Sequence, residues 1–168
     1  SPVEIASVAF GYGMSISTVQ LARAYSVLAN GGMIRDLSLI KLKLPKPARR
    51  VMPKAVAKSL LEMMRSVVGR GGTGRRAAVP GFKVAGKTGT AYIASGGRYN
   101  KKDPHYMASF VGIAPASRPR LVVAVVIRDP QGEHFGGLVA APLFAKVMGS
   151  ALRIMNIAPD DLHDMTSK

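Results

Sequence analysis

The fold is decided by the stretch Val84-Ala-Gly-Lys-Thr-Gly-Thr90, which sets a lysine, two threonines and two glycines inside an extended run. Two further extended runs follow it along the chain, and the three together cover Phe82 to Ile93, Tyr106 to Ala114, and Leu121 to Arg128. The last two are joined by the short segment Ala116-Ser-Arg-Pro119 and the first two by the longer polar segment Ala94 to His105. Consecutive strands with such connections predict an antiparallel meander whose first strand lies at an edge.

Apolar residues at helical spacing predict three helices around this sheet. The first is capped at Ser17 or Thr18, stops at Asn30-Gly31-Gly32, and carries Leu21, Ala24, Tyr25 and Leu28. The second has Pro53 in its first turn, Gly69 past its end, and carries Val56, Leu60, Met63, Met64 and Val67. The third presents one broad stripe of Leu143, Phe144, Val147, Met148, Ala151, Leu152 and Met155, which suits a helix packed across a sheet.

The remaining segments complete a single α/β body of the α+β kind, an antiparallel sheet with packed helices. Leu39 to Leu44 alternates apolar and basic residues, which predicts a half-exposed strand that ends before Pro45 and Pro47. The glycine-rich segment from Gly69 to Gly74 predicts a loop. Residues 1–159 are expected to form one domain portion, and the acidic residues 160–168 a disordered tail.

The charge of the chain is strongly positive and unevenly distributed. The formal net charge is +15, and between Arg35 and Arg76 twelve Lys or Arg residues face two acidic residues, a net charge of +10. This charge fits a solvated basic face, and it leaves open a non-catalytic module that binds nucleic acid or an anionic polymer. No aromatic residue occurs between Arg35 and Arg76, although aromatic side chains usually accompany basic ones in single-strand nucleic-acid readers.

Metal chemistry has little support in the composition. The chain has no cysteine, which excludes disulfides and thiolate metal sites. Its three histidines, His105, His134 and His163, are far apart in unlike contexts, so no metal site is predicted from them.

The lysine, threonine and glycine of the central stretch fit a site that handles an anionic peptide. An ammonium group on a strand edge supplies a fixed positive charge, and a neighbouring hydroxyl can bond a carboxylate. A glycine leaves room for a peptide to lie against the strand and add to its edge by main-chain hydrogen bonds. By itself Lys-Thr-Gly is a common triplet, and the alternative interpretation of Lys87 is a surface lysine on a strand that has a packing glycine at Gly89.

The order of motifs along the chain resembles that of class B penicillin-binding proteins, and among them the division-specific peptidoglycan D,D-transpeptidases of Gram-negative bacteria. Lys-Thr-Gly is the third signature of serine enzymes that recognise penicillin. The resemblance extends over nearly all of residues 1–159, and it is carried by Ala9-Phe-Gly-Tyr-Gly-Met-Ser-Ile-Ser-Thr-Val-Gln-Leu-Ala-Arg-Ala-Tyr25, Gly86-Lys-Thr-Gly-Thr-Ala91, Val111-Gly-Ile-Ala-Pro-Ala116, Val125-Val-Ile-Arg-Asp-Pro130, Phe135-Gly-Gly-Leu-Val-Ala-Ala-Pro142 and Met155-Asn-Ile-Ala-Pro159.

The resemblance implies the penicillin-binding transpeptidase and serine β-lactamase-like fold, and a serine-type D,D-transpeptidase. In that family a serine attacks the penultimate D-Ala carbonyl of a stem peptide and releases the terminal D-Ala, and the acyl group then passes to the amino group of a neighbouring stem. β-Lactams acylate the same serine. The resemblance also implies septal cell-wall synthesis at the periplasmic face of the inner membrane, with an N-terminal anchor helix that is absent from this chain. Division proteins are the implied partners, with no cofactor and no nucleic acid.

The motif residues take roles from the same resemblance. It implies that Lys87 is the motif lysine of the proton and electrostatic network. Thr88 would offer its hydroxyl to the terminal carboxylate of the substrate, and Gly89 would give clearance. Thr90 would contribute its backbone N–H to the oxyanion hole and its hydroxyl to the carboxylate. Lys87 and Thr90 are therefore the predicted catalytic residues, and Thr88, Gly89 and Thr90 are predicted to bind substrate.

The rim of the pocket and the nucleophile complete the comparison with the family. Phe135, Gly136 and Gly137 fall where the family rims its pocket, while the role of the adjacent His134 stays open. The family's nucleophile lies in Ser-x-x-Lys and a second motif is Ser-x-Asn. Ser38-Leu-Ile-Lys41 has the first spelling, but it is expected in a strand rather than at a helix start, and no Ser-x-Asn occurs. The catalytic serine is therefore expected outside this chain, on an N-terminal remainder to which the chain binds.

Overall fold

The computed structural model describes Ile5 and residues 15–94 and 104–161 of the 168-residue chain. Three helices, five strands and one 3₁₀ turn follow in the described part: α1 (Thr18–Ala29), β1 (Met33–Arg35), β2 (Ala48–Arg50), α2 (Lys54–Ser66), the 3₁₀ turn (Arg75–Ala77), β3 (Ala85–Tyr92), β4 (Tyr106–Ala114), β5 (Leu121–Arg128) and α3 (Gly136–Ile154). The mixed helix and antiparallel-sheet class predicted from the sequence is confirmed.

The main sheet is the predicted meander, with strand order β3-β4-β5 and antiparallel pairing throughout. Lys87 lies opposite Val111, and Thr90 lies opposite Ala108. The bounds predicted for β4 and β5 are confirmed, whereas β3 is shorter than the predicted run and begins at Ala85. Among the described strands β3 pairs only with β4, so the predicted edge position is confirmed as well.

Helix α3 packs across one face of this sheet. The rings of Phe110 and Phe144 lie 4.7 Å apart, and Phe144, Met148 and Leu152 are fully buried at i, i+4 and i+8. α3 has the length and apolar composition of a membrane span, but these buried side chains identify it as a core helix. The predicted stripe is too broad, because Leu143, Val147 and Met155 are exposed. The small residues Ala140, Ala141 and Gly149 are buried along with Phe144, Met148 and Leu152.

Helices α1 and α2 contact the strands and each other, with α1 against β5 and α2 against β3. α1 begins at the predicted cap, since Ser17 accepts a hydrogen bond from the backbone of Gln20 while the Gln20 side chain bonds the backbone of Ser17. Pro53 is the N-cap of α2, one position before the helix, rather than a member of its first turn.

The strand predicted over Leu39 to Leu44 is wrong. Residues 36–47 have no regular secondary structure, and the antiparallel pair at this point is formed by the flanking strands β1 and β2. Alternation predicts a strand only where one face packs on something, but Leu39 and Leu44 are 102% and 80% exposed. Ser38-Leu-Ile-Lys41 therefore lies in an irregular segment rather than in a strand, and it does not start a helix.

Residues after α3 return to the start of the sheet. The carboxylate of Asp160 accepts hydrogen bonds from the backbone N–H of Lys83 (2.8 Å) and of Ser117 (3.1 Å), and from the Ser117 hydroxyl. The backbone N–H groups of Asp160 and Asp161 donate to the carbonyl of Gly81. The predicted tail thus includes two residues held by hydrogen bonds, and its residues 162–168 lie outside the described part.

Candidate active site

The central stretch lies on the outer strand β3, with its side chains divided between two faces of the sheet. A Cβ placed on Gly86 would lie 2.5 Å from the ring of Phe110, so Gly86 points to the face covered by α3. Because side chains alternate along a strand, Thr88 and Thr90 share that face, and Lys87 and Gly89 point to the other. The side chain of Lys87 is exposed, and its ammonium donates to the carbonyl of Thr88 at 2.9 Å.

The glycine-rich loop contributes a hydroxyl that the sequence did not reveal as part of this site. The Thr73 hydroxyl lies 3.1 Å from the Thr88 hydroxyl, within hydrogen-bonding distance. Thr73 is separated from Thr88 by 15 residues in a segment predicted only as a loop. A threonine that follows two consecutive glycines is only a weak indication of a binding site. Nothing in the sequence spacing connects Thr73 with β3.

The N-terminus of α3 meets the same face of β3. Phe135 is the N-cap residue, and the backbone N–H of Gly136 donates to the hydroxyl of Thr90 at 3.0 Å. A Cβ on Gly136 would lie 2.3 Å from the carbonyl oxygen of Ser109, and one on Gly137 would lie 2.0 Å from that of Thr73. Only glycine fits at both positions, because the obstructing atoms belong to the backbone.

These elements enclose a pocket of about 260 Å³. Its lining joins five of the predicted substrate-binding and rim residues to two residues that were not predicted, and consists of Thr73, Thr88, Thr90, Phe135, Gly136, Gly137 and Leu138. Three hydroxyls and the N-terminal end of a helix converge there, and both features favour an anion. Lys87 and Gly89 do not line this pocket, since they lie on the opposite face of the strand.

Aromatic side chains continue from the pocket toward the far end of β3. The rings of Tyr106 and His134 stack with centroids 3.9 Å apart, and His134 lies 4.3 Å from Phe135. Tyr106 also lies 4.7 Å from Tyr92, and its hydroxyl donates to the Tyr92 hydroxyl. This hydrogen bond, together with desolvation and the neighbouring phenol, raises the pKa of Tyr106 above the usual tyrosine value. His134, whose role was left open, is thus an aromatic neighbour of the rim residue Phe135.

A larger cavity of about 900 Å³ lies elsewhere, between α2 and the start of β3. It contains none of the predicted site residues and is lined in part by Arg65, Arg70, Arg75 and Lys83. Within residues 15–94 and 104–161, no three His, Cys, Asp or Glu side chains come together in a way that suits a metal ion. Of the three histidines, His105 pairs with Asp129 at 2.8 Å, and His163 lies outside the described residues.

The sequence as a whole matches one protein family. The profile described as the penicillin binding protein transpeptidase domain covers residues 1–149. The chain is 45% identical over 164 residues to the peptidoglycan D,D-transpeptidase FtsI of Escherichia coli K12, covering 96% of this chain and 27% of that protein. It is 43% identical over 159 residues to the probable peptidoglycan D,D-transpeptidase PenA of Neisseria gonorrhoeae, covering 94% of this chain and 27% of that protein. The chain therefore spans about a quarter of the length of these relatives.

A solved structure shows the same fold. The TP domain of penicillin-binding protein 3 from Burkholderia pseudomallei superimposes with a TM-score of 0.86 at 42% sequence identity. The match covers 95% of this chain and 49% of the solved one. The chain thus corresponds to about half of that solved TP-domain chain.

Proposed function

Because the chain belongs to the penicillin-binding protein transpeptidase domain family, we propose that it supplies the Lys-Thr-Gly wall of a peptidoglycan D,D-transpeptidase site. The observation that carries the proposal is the pocket in which the hydroxyls of Thr88 and Thr90 meet the N-terminus of α3 beside the outer strand. A stem peptide that ends in D-Ala-D-Ala has a terminal carboxylate, and this pocket offers that group hydroxyl donors and a favourable helix dipole.

The outer strand suits an extended peptide. β3 has β4 on one side only among the described strands, so its other edge is open to main-chain hydrogen bonds from a substrate. With the terminal carboxylate in the pocket, the preceding residue of the substrate would lie along β3. The scissile carbonyl then comes near the backbone N–H of Thr90, the oxyanion-hole donor in this proposal.

Lys87 acts from the opposite face of the strand. Its side chain is exposed and its ammonium hydrogen-bonds only the carbonyl of Thr88 among described residues, so it remains accessible to groups on another part of the domain. We assign it to the electrostatic and proton network around the nucleophile. Because successive side chains of β3 point to opposite faces, these residues have different roles. Thr88 and Thr90 hold the carboxylate, while Lys87 faces the reacting hydroxyl.

The nucleophile itself belongs to the N-terminal remainder in this proposal. The Ser-x-x-Lys spelling at Ser38 falls in an irregular exposed segment, where the lysine is not brought one helical turn below the serine. The chain also leaves Ile16, Val19, Val56 and Met63 exposed on α1 and α2 or beside them. These apolar side chains suit contact with a remainder that carries Ser-x-x-Lys and Ser-x-Asn.

The proposed cellular setting rests on the names of the relatives. The names of the relatives support a cell-envelope enzyme of peptidoglycan synthesis. We propose that the complete protein works at the septum, on the periplasmic face of the inner membrane, held by an N-terminal helix and by division proteins. β-Lactam antibiotics would acylate its serine, and changes in the pocket would then contribute to antibiotic resistance.

The alternative of a non-catalytic basic module for nucleic acid or an anionic polymer explains less of the molecule. It accounts for the charge between Arg35 and Arg76, but not for glycines at Gly136 and Gly137 where only glycine fits. It also leaves the convergence of three threonine hydroxyls without a purpose.

Acylation by a fluorescent penicillin tests the proposal. The transpeptidase domain that includes this chain is incubated with the reagent, and labelling is followed on a denaturing gel. We expect stoichiometric labelling of the domain on a serine outside residues 1–168, and none of the 168-residue chain alone. Labelling of the isolated chain, or a domain that stays unlabelled while folded, would refute it.

A further inference from the structure

The segment between β1 and β2 projects from the body of the chain, yet it is held firmly at its base. We call residues 37–46 the Leu-Lys loop. β1 and β2 pair from Met33 opposite Arg50 to Arg35 opposite Ala48. The Arg35 guanidinium donates to the carbonyl of Lys46, and the Lys46 ammonium donates to the carbonyl of Leu37 at 3.4 Å. These hydrogen bonds close the base of the loop.

The aliphatic side chains of the loop contact little of the described chain. Five of them are exposed, namely Leu37 (48%), Leu39 (102%), Ile40 (74%), Leu42 (37%) and Leu44 (80%). Single exposed leucines are common, but five within eight residues mark a surface that meets another apolar phase.

Cations alternate with these aliphatic residues. Lys41 and Lys43 lie between Ile40 and Leu44, and neither has a hydrogen bond or ion pair with a described residue. The acidic residue next to the loop, Asp36, is already paired with Arg23 at 2.7 Å. The loop is therefore aliphatic and cationic at once, and residues 37–46 include no acidic side chain.

Three alternative binding partners match the side chains of the loop poorly. The remainder of the domain would have to bury Lys41 and Lys43 together with the leucines, which is costly unless each ammonium finds a partner. A nucleic acid would engage the lysines and leave the aliphatic groups in water. An acidic protein groove would need carboxylates placed between apolar pockets at the spacing of the loop.

We propose that the Leu-Lys loop docks on an anionic phospholipid surface. Aliphatic side chains enter the boundary between headgroups and acyl chains, and the flexible lysine stems extend to the phosphates. Such a surface satisfies both kinds of side chain without a matching shape. The charge of +10 between Arg35 and Arg76 adds a longer-range attraction to the same surface.

Vesicle co-sedimentation tests the docking. The transpeptidase domain without any membrane anchor is mixed with vesicles of phosphatidylcholine alone or with 30% phosphatidylglycerol, a mixture of about 7:3 that mimics an anionic leaflet. We expect binding to the anionic vesicles only, weakening as salt is raised. The double variant Lys41→Gln/Lys43→Gln is expected to weaken partitioning by about 25-fold, roughly fivefold per lysine, and Leu39→Ser/Leu44→Ser by at least about tenfold.

Matched changes elsewhere on the chain separate the loop from the effects of overall charge and of exposed apolar surface in general. Lys54→Gln/Lys58→Gln removes the same charge from exposed positions of α2, and Ile154→Ser/Met155→Ser removes comparable exposed apolar groups at the end of α3. We expect each control to weaken partitioning by less than about fivefold. Equal binding to both vesicle types, or loop variants that bind like the wild type, would overturn the proposal.

Two further outcomes also count against the lipid surface. Capture of a polyglutamate-coated bead in preference to anionic vesicles would assign the loop to an acidic protein. A loss of penicillin acylation together with a lower melting temperature in the loop variants would assign it to packing within the domain. Normal acylation in variants that no longer bind vesicles supports the docking, and it leaves the proposed transpeptidase function untouched.

Discussion

The hydroxyls of Thr73 and Thr88 lie 3.1 Å apart, so the glycine-rich loop and the outer strand share one hydrogen bond at the mouth of the pocket. Thr88 is the residue proposed to hold the substrate carboxylate. A hydroxyl that accepts from or donates to it fixes the direction in which its own proton points. Thr73 is therefore a positioning residue for Thr88 in the proposed site.

Replacing Thr73 by valine removes this partner while keeping the side-chain shape. We expect the second-order rate of penicillin acylation to fall by about three- to tenfold, the effect of one neutral hydrogen bond. Thr73→Ser retains the hydroxyl and should restore most of the rate. The loss should shrink for a β-lactam whose carboxylate is esterified. An equal loss with both compounds would show that Thr73 acts on the fold rather than on carboxylate binding.

Lys87→Ala tests the assignment of the exposed ammonium to the catalytic network. Because the side chain is exposed and hydrogen-bonds only the carbonyl of Thr88 among described residues, its removal should leave the fold intact. We expect acylation to slow on the order of 100-fold or more, as for loss of a charge-stabilising group. The control Lys58→Ala removes an exposed lysine of α2. Acylation by Lys87→Ala at the rate of the control would remove Lys87 from the site.

Much of the fold followed from periodicity, because β4, β5 and α1 have local patterns that tertiary contacts reinforce. The prediction of secondary structure failed where the side chains that form the periodic pattern are exposed to solvent instead of packed. Leu39 to Leu44 alternates like a strand, but both faces lie in solvent, and so the alternation carries no information on pairing. The start of α3 was missed because Gly136 and Gly137 are poor helix formers. They are required there by the carbonyls of Ser109 and Thr73, which no local window contains.

The proposed site, like the fold, has parts that the local sequence predicts and parts that only the tertiary structure reveals. The motif around Lys87 and the rim at Phe135 could be named from the sequence because the family's motifs are contiguous in sequence. Which face each residue occupies required the register of β3 against β4. The contribution of Thr73 required the path of a loop whose glycines allow many conformations.

Gly137→Ala tests how closely α3 must approach the loop that carries Thr73. The added Cβ would lie 2.0 Å from the Thr73 carbonyl oxygen, so the helix start or the loop has to move. We expect the free energy of unfolding to fall by about 1–3 kcal/mol, and acylation to fall with it, since Thr73 and Thr88 would separate. Gly69→Ala, whose Cβ would meet its nearest atom at 3.4 Å, serves as the control for glycine replacement. Wild-type stability and acylation in Gly137→Ala would mean that the contact is readily relieved.

Because the phenol of Tyr25 is partly buried, we expect the free energy of unfolding to fall in alkaline solution. Burial raises the pKa of its phenol above the ordinary value of 10.0, because the folded chain disfavours the phenolate. The stabilisation is fully present below pH 10 and is lost as the pH rises toward the higher pKa of the folded state. We expect Tyr25→Phe to unfold with a shallower pH dependence above pH 10 in urea titrations. Equal slopes for variant and wild type would assign the alkaline loss to other groups.

Asp160 joins three parts of the chain, and its removal tests whether the segment after α3 stabilises the strand that carries the site. Its carboxylate accepts from the backbone of Lys83, just before β3, and from the backbone and hydroxyl of Ser117 between β4 and β5. Asp160→Ala leaves these donors without their acceptor, and we expect the free energy of unfolding to fall by about 2–4 kcal/mol. Asp161→Ala is the matched control, since the Asp161 carboxylate has no hydrogen bond to a described residue. Urea unfolding of both variants measures the difference, and equal midpoints would mean that water replaces Asp160 at no cost.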